Sequence, residues 1–131
     1  MTLMGDVPQL FRLNIEVADL SAAQRFYEAL LGVAGRKQAG NRFYISVGAV
    51  ALQVVGVPEP HTAAKALYFA TGQLDAVHAR AASLSALSSD KVHGAPAGDI
   101  SVKPWGERSF YVNDPWGNPL CFVEAGTEYA G

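Results

Sequence analysis

The sequence predicts an α+β fold of two βαβββ modules, whose strands form a cupped mixed β-sheet with the helices on its outer face. Short segments alternate between apolar and polar residues, two amphipathic helical segments stand among them, and the two halves of the chain repeat the same order of segments. A repeat of whole supersecondary units constrains a fold strongly. We therefore expect one domain, with modules at about residues 9–57 and 65–125.

The first half opens with a strand and a helix. Residues 11–17 alternate strictly between apolar and polar side chains, which is typical of a half-buried strand. A helix should begin with Asp19 or Ser21 as its cap, because Ser21 and Gln24 have the spacing of a capping box. Gly32 is a natural helix terminator. The apolar face of this helix is expected to contain Phe26, Leu30 and Val33.

The remaining segments repeat this order. After the first helix we expect three short strands, at residues 35–39, 42–47 and 50–55. A linker with two prolines, residues 56–62, joins the halves. In the second half we expect a strand at 66–71, a helix at 73–87 and strands at 100–103, 108–113 and 120–124. Residues 114–118, Asp-Pro-Trp-Gly-Asn, have a composition suited to reversing the chain between the last two strands.

Alternation along the strands predicts two faces. The residues expected to pack on the helices are all apolar: Phe11, Leu13, Ile15, Val17, Phe43, Ile45, Val47, Leu52, Val54, Leu67, Phe69, Phe110, Val112, Leu120 and Phe122. The opposite face is polar and aromatic: Arg12, Asn14, Glu16, Tyr44, Ser46, Gln53, Tyr68, Ser109, Tyr111, Asn113 and Cys121. This face could be an ordinary sheet surface open to water. It could instead line a cup that binds a ligand.

Composition excludes several classes of protein. Half of the 131 residues are apolar, the net charge is −2, and the basic residues are scattered. No basic stripe for nucleic acid or an anionic membrane is present in the sequence. A single cysteine excludes an intramolecular disulfide and a cysteine-rich zinc motif. The sequence shows no signal peptide and no apolar run of the roughly 20 residues that a membrane helix needs, so we expect a cytoplasmic protein.

Three motifs in this order carry a resemblance to a known superfamily. Residues 17–20, Val-Ala-Asp-Leu, lead into residues 25–27, Arg-Phe-Tyr, and the turn at 114–118 follows in the second module. With the duplicated unit, residues 10–125 resemble the vicinal oxygen chelate superfamily, which includes glyoxalase I, extradiol dioxygenases, fosfomycin-resistance transferases and bleomycin-resistance proteins. The resemblance implies a cup that a second subunit often completes, and hence a homodimer whose modules are side by side or exchanged.

The same resemblance implies four positions for metal ligands, and these fall on Arg12, Gln53, Ala66 and Cys121. An arginine is permanently cationic and an alanine has no donor atom. One glutamine and one cysteine are too few donors for a divalent cation. We therefore expect a cup with no metal and no other cofactor. This departure from the superfamily's metal-ligand pattern favours the bleomycin-resistance branch, where a tryptophan near the pocket stacks on the drug.

The resemblance to bleomycin-resistance proteins gives Trp105 the role of a stacking surface. Arg108 would either clamp an anionic group or tether the loop by an ion pair, and Tyr111 matches a position that hydrogen-bonds substrate in fosfomycin-resistance relatives. Cys121 could be a nucleophile or a small apolar filler. We expect Trp105, Tyr111, Tyr68 and Tyr44 to wall one cavity with a floor of Arg12, Asn14, Gln53 and Ser109. The full set of expected ligand-binding residues is Arg12, Asn14, Tyr44, Gln53, Tyr68, Trp105, Arg108, Ser109, Tyr111 and Cys121.

Two functions remain open from the sequence. The first is a metal-independent binder of a small planar or amphipathic molecule. The alternative is an enzyme: a glyoxalase- or dioxygenase-type lyase or oxidoreductase with an atypical metal site, or a metal-free catalyst using Glu16, Tyr111 or Cys121. An interaction module without a ligand is disfavoured, because the polar residues converge on one face.

Overall fold

The chain, in a computed structural model that describes residues 8–63 and 65–129, forms two successive βαβββ modules. The first module contains β1 (Arg12–Val17), α1 (Leu20–Leu31), β2 (Arg36–Gln38), β3 (Arg42–Val47) and β4 (Val50–Gly56). The second contains β5 (Leu67–Thr71), α2 (Leu74–Ser83), a hairpin of β6 (Lys91–Val92) and β7 (Ala95–Pro96), then β8 (Ser101–Val102), β9 (Arg108–Asn113) and β10 (Pro119–Glu124). The predicted fold class is confirmed, and the small β6–β7 hairpin is an addition that the sequence pattern did not predict.

Each module builds its own four-stranded mixed sheet with the same arrangement. The strand order is β1-β4-β3-β2 in the first sheet and β5-β10-β9-β8 in the second. The first and last strands of each module are parallel neighbours, and the other neighbours are antiparallel. Parallel neighbours need a long crossover, and the helix lies within that connection in both modules.

A hydrophobic core packs both helices against the apolar faces of both sheets. Ile15, Phe43 and Phe110, from the predicted helix-facing set, are at most 3% exposed. Phe11 was expected in this set, but it precedes β1 and is 63% exposed. Val33 was expected on the face of α1, but it lies beyond the end of that helix and is 42% exposed. Both errors extend a correct pattern past the end of its element.

The helix ends differ from expectation in two places. The N-cap of α1 is Asp19, whose Oδ1 accepts a hydrogen bond from the Ala22 backbone N–H at 3.0 Å. The predicted Ser21–Gln24 capping box is wrong, because the chain is already helical at Ser21 and Gln24 donates to the Glu28 carboxylate instead. Gly32 ends the helix in the left-handed conformation, with φ of 70°, as predicted.

The second helix is shorter than predicted. It ends at Ser83 rather than at residue 87, and Ser85 has φ of 55°, which turns the chain out of the helix. Leu87 then forms a β-bridge with Val112 instead of a helical turn. Among the described residues no helix has both the length and the apolar character needed to span a membrane.

The turn at residues 114–118 joins the two modules through the Asp114 carboxylate, which is 4% exposed. Within the turn, this carboxylate accepts hydrogen bonds from the Trp116 N–H at 2.9 Å and from both the backbone and the side-chain N–H of Asn118 at 2.8 Å. From the other module, the Tyr27 hydroxyl on α1 donates to it at 2.6 Å. The Asn118 side chain also donates to the Glu16 backbone oxygen of β1 at 3.0 Å.

Tyr27 acts only as a hydrogen-bond donor to this carboxylate. It is fully buried, and burial raises the pKa of its phenol well above the usual range, with the Asp114 charge and hydrogen bond acting in the same direction. A buried carboxylate that loses a donor keeps its desolvation cost without the compensating bond. The Tyr27–Asp114 contact should therefore contribute to stability.

We predict that Tyr27→Phe lowers the free energy of unfolding by about 1–3 kcal/mol, because Asp114 then remains buried with one donor fewer. Urea unfolding followed by circular dichroism measures this. The matched control is Tyr44→Phe, which also removes one hydroxyl but from a contact with exposed Arg12. We expect the control to change stability by less than about 0.5 kcal/mol; equal losses in both variants would contradict the role given to Asp114.

Candidate ligand-binding site

Strand register places the predicted site residues in two corresponding rows across the sheets. In the first sheet Asn14 of β1 pairs with Gln53 of β4, which pairs with Tyr44 of β3. In the second sheet the equivalent row is Tyr68 of β5, Cys121 of β10 and Tyr111 of β9. We call these the first row and the second row. The structure thus brings six predicted residues together in two groups of three.

In the first row, the polar groups bind one another. The Gln53 side chain is 6% exposed and donates to the Asn14 side-chain oxygen at 2.9 Å. Arg12 is exposed and donates to the Tyr44 hydroxyl at 3.2 Å. Its guanidinium also lies 5.2 Å from the centre of the Phe11 ring. Arg36 of β2, which pairs with Tyr44 and donates to the Ser46 hydroxyl, is also exposed, so this face presents at least two cationic groups to solvent.

In the second row, two phenols lie beside a buried thiol. The Tyr68 and Tyr111 hydroxyls are 3.3 Å apart, and their rings meet edge to face. Cys121 has no exposed surface. Burial raises the pKa of its thiol to about 11, although hydrogen bonds from Tyr111 and Ser109 and the charge of Lys103 act in the opposite direction. A neutral thiol is a poor nucleophile, so the burial of Cys121 favours its role as a small apolar packing residue.

A buried lysine supports the second row, and the sequence pattern missed it. Lys103 is 5% exposed, and its ammonium donates to the Ser101 hydroxyl and the Ser109 backbone oxygen, each at 2.9 Å, and to the Ser101 backbone oxygen at 3.4 Å. Burial lowers the pKa of Lys103, partly opposed by Cys121 and Glu107. A lysine before a Pro-Trp-Gly turn resembles an ordinary surface residue, and no sequence signal distinguishes it.

A cavity of about 400 Å³ lies beside Trp105, lined by the second module and by the C-terminal segment that follows it. We call it the Trp105 cavity. Its lining consists of Tyr68, Phe69, Ala70, Trp105, Glu107, Val123, Glu128 and Tyr129. Two of the four predicted wall residues, Trp105 and Tyr68, therefore line the same cavity. Tyr44 and Tyr111 are not among its lining residues, so the four aromatic side chains do not wall this cavity together.

Trp105 is held in position by its neighbours. Its indole N–H donates to Glu107 at 2.7 Å, and its ring meets the His93 ring edge to face at 5.0 Å. The second oxygen of Glu107 accepts from the Tyr129 backbone N–H at 2.8 Å, which fastens the C-terminal segment over the cavity. The sequence pattern gave no role to Glu107, Glu128 or Tyr129, since none lies in a periodic segment.

Arg108 lies on the other side of the sheet from Ser109 and Tyr111. Its guanidinium contacts Glu124 at 2.9 Å and Asp75 of α2 at 3.3 Å. Of the two roles considered for Arg108, these contacts are those of a tether between β9 and the helix. Because alternate residues of a strand point to opposite faces, Arg108 cannot share a binding surface with Ser109 and Tyr111.

The four positions that correspond to metal ligands do not fit a divalent cation. Arg12 is a cation, Ala66 has no donor atom, and Gln53, whose amide N–H donates to Asn14, offers a single neutral carbonyl oxygen. Cys121 would have to lose a proton that it holds with a pKa of about 11. Within residues 8–63 and 65–129, no three His, Cys, Asp or Glu side chains are grouped so that they could hold a metal ion.

Comparison with known proteins identifies the family. The model of the glyoxalase-like domain matches residues 12–123. The chain belongs to the glyoxalase-like domain family. The resemblance to the vicinal oxygen chelate superfamily is thereby confirmed. None of the curated proteins matches this glyoxalase-like chain.

Solved structures share the fold of this glyoxalase-like protein. Oxidase ChaP-H1 is 25% identical with a TM-score of 0.73, covering 95% of this chain and 100% of that one. A glyoxalase/bleomycin resistance protein from Albidiferax ferrireducens T118 is 23% identical with a TM-score of 0.70, covering 88% and 98%. Lactoylglutathione lyase from Agrobacterium tumefaciens is 20% identical with a TM-score of 0.63, covering 91% and 95%.

We predict that protein purified without chelator carries far less than one equivalent of any divalent metal, because its donor set is unsuitable. Elemental analysis by mass spectrometry measures the bound metal, and calorimetric titration with Zn²⁺ at pH 7.5 measures affinity. Cys121→Ser is the matched control, since removing a thiol that holds no metal should leave both results unchanged. One equivalent of metal that is lost in Cys121→Ser would overturn this assignment.

Proposed function

We propose that this glyoxalase-like protein binds a small planar or amphipathic organic molecule without using a protein-held metal. The observation that carries this proposal is the Trp105 cavity, where the side chains of Tyr68, Trp105 and Tyr129 surround about 400 Å³. Small-molecule sites usually have volumes of roughly 300–1,000 Å³ and a mostly apolar lining with few polar groups. The lining here has that character, with Phe69 and Val123 among its apolar residues.

The fixed position of Trp105 supports binding. An aromatic ring that is already held by a hydrogen bond and a ring contact loses little freedom when a ligand stacks on it. Trp105 has both contacts, to Glu107 and to His93. The remaining surface of its ring is available to a flat or branched apolar group.

The alternative proposal is an enzyme, a lyase or oxidoreductase with an atypical metal site. Its support is the fold shared with proteins named as an oxidase and as a lactoylglutathione lyase. Metal-free catalysis has weaker support. The Glu16 carboxylate accepts from the His61 backbone N–H at 2.8 Å and is not among the residues that line the Trp105 cavity, and the Cys121 thiol is neutral and buried. Binding is therefore the function that the geometry supports best.

We also propose that the protein is a homodimer in which the second copy covers the polar face of each sheet. The hydrogen bonds of the first row stay within the first sheet, and those of the second row stay within the second. Leu10 and Phe11, at 64% and 63% exposure, lie beside the first row, and Tyr68, at 58%, lies in the second. Apolar side chains beside open sheet faces are typical of surfaces that a partner covers.

We predict that sedimentation velocity at micromolar concentration shows a dimer, because burying these apolar side chains against a second copy is favourable. Phe11→Ser should weaken the association. Val33→Ser is the matched control, since Val33 is also exposed, at 42%, but lies after α1 rather than beside a polar row. A clean monomer for the unmodified protein would rule the dimer out.

We predict that Trp105→Ala weakens the binding of a true ligand by about 1–3 kcal/mol and leaves the fold intact, because it removes a stacking surface outside the core. A panel of small aromatic compounds, followed by ligand-observed NMR, measures binding, and thermal unfolding measures integrity. Trp116→Phe, in the turn at 114–118, is the control and should leave binding unchanged. If Trp105→Ala unfolds the protein, or no compound depends on Trp105, the site proposed here is wrong.

A further inference from the structure

We propose that the Trp105 cavity selects organic cations, meaning molecules in which an alkylated ammonium or a comparable diffuse positive charge sits among aromatic rings. This inference rests on the proposed binding function and adds the charge class of the ligand. It follows from three features of the cavity: the signs of its charges, the character of its walls and the state of one buried carboxylate.

The ionisable side chains of the lining that can carry charge at neutral pH are both acidic. These are Glu107 and Glu128, and the lining contains no lysine, arginine or histidine. Three basic groups lie near the lining but outside it. The Lys103 ammonium donates to oxygens of Ser101 and Ser109, and its charge also acts on Glu107. Arg108 pairs with Glu124 and Asp75, and the His93 ring meets the Trp105 ring edge to face. The charges that line the cavity itself therefore favour a positive ligand over a negative one.

The walls of the cavity suit a diffuse cation. Aromatic faces carry negative potential and attract a cation within roughly 6 Å of the ring centre, and sites for quaternary ammonium groups are built from several such rings. Tyr68, Trp105 and Tyr129 supply three rings around one space. Phe69 and Val123 add apolar surface, which suits alkyl groups and offers no ligand to a small hydrated metal ion.

Glu107 is a buried carboxylate without a cationic partner in contact. It is 7% exposed, and its two oxygens accept from the Trp105 indole N–H and the Tyr129 backbone N–H. Among the described residues no basic nitrogen lies within 4.0 Å of those oxygens. A carboxylate has about four acceptor sites, so two hydrogen bonds leave capacity for a further charged contact. A bound cation would occupy the acceptor sites that the Glu107 carboxylate leaves unused.

The test compares three probes of similar size: phenyltrimethylammonium, its uncharged isostere tert-butylbenzene, and benzoate. Ligand-observed NMR competition at low and at high salt measures each dissociation constant for the unmodified protein. We expect the cation to bind at least about tenfold more tightly than the isostere, benzoate to bind more weakly than either, and the preference to shrink as salt is added. Trp105→Ala should weaken binding of the cation by about 5- to 150-fold.

Charge variants separate this inference from the proposed function. Glu128→Gln should reduce the preference for the cation over the isostere by about threefold or more, with the isostere unchanged. Glu59→Gln, in the linker at residues 56–62, removes the same charge away from the cavity and should change nothing. If the isostere or benzoate binds as tightly as the cation and depends on Trp105, cation selection is wrong and small-molecule binding stands. If none of the three probes binds, both proposals are overturned.

Discussion

The buried carboxylate of Asp114 is the group on which the arrangement of the two modules depends. It sits at the tip of the β9–β10 connection, yet one of its four donors, Tyr27, comes from the helix of the other module. Because the carboxylate is almost fully withdrawn from water, each donor offsets part of a large desolvation cost. The same turn sets the register of β9 against β10, and this register places Tyr111 beside Cys121. A contact that joins the modules therefore also builds the second row.

The two sheets correspond in strand order because the second module repeats the first, but they carry different side chains at matching positions. Asn14 and Gln53 in the first sheet occupy the positions of Tyr68 and Cys121 in the second. The first pair satisfies its own hydrogen bonds, whereas Tyr68 projects into open space beside Trp105. Positive charge on the polar faces includes Arg12 and Arg36 on the first sheet and Lys103 on the second. The two sheets therefore share one strand arrangement and differ in the chemistry of their polar faces.

The sequence predicted the strands and the core well because strand alternation is a local pattern that burial enforces over many residues. It failed where a local pattern ends. Phe11 continues the alternation but stands outside the ladder, and α2 stops at Ser83 although apolar spacing continues. It also missed Glu107 and Tyr129, since their partnership joins positions 22 residues apart through a backbone N–H, which leaves no mark in composition or spacing.

Three of the residues expected to contact a ligand are buried. Gln53 and Ser109 were expected in the floor of the cavity and Cys121 among the other ligand-binding residues, but they are at most 6% exposed and are engaged with their neighbours. The proposed site instead uses the segment around Trp105 and the C-terminal segment that contains Glu128 and Tyr129. These segments are not part of a sheet and can vary with little cost to the core, since connecting segments tolerate change better than strands do. The site proposed here therefore places ligand recognition on two short segments held by one carboxylate, Glu107, with the sheets as the rigid support beneath them.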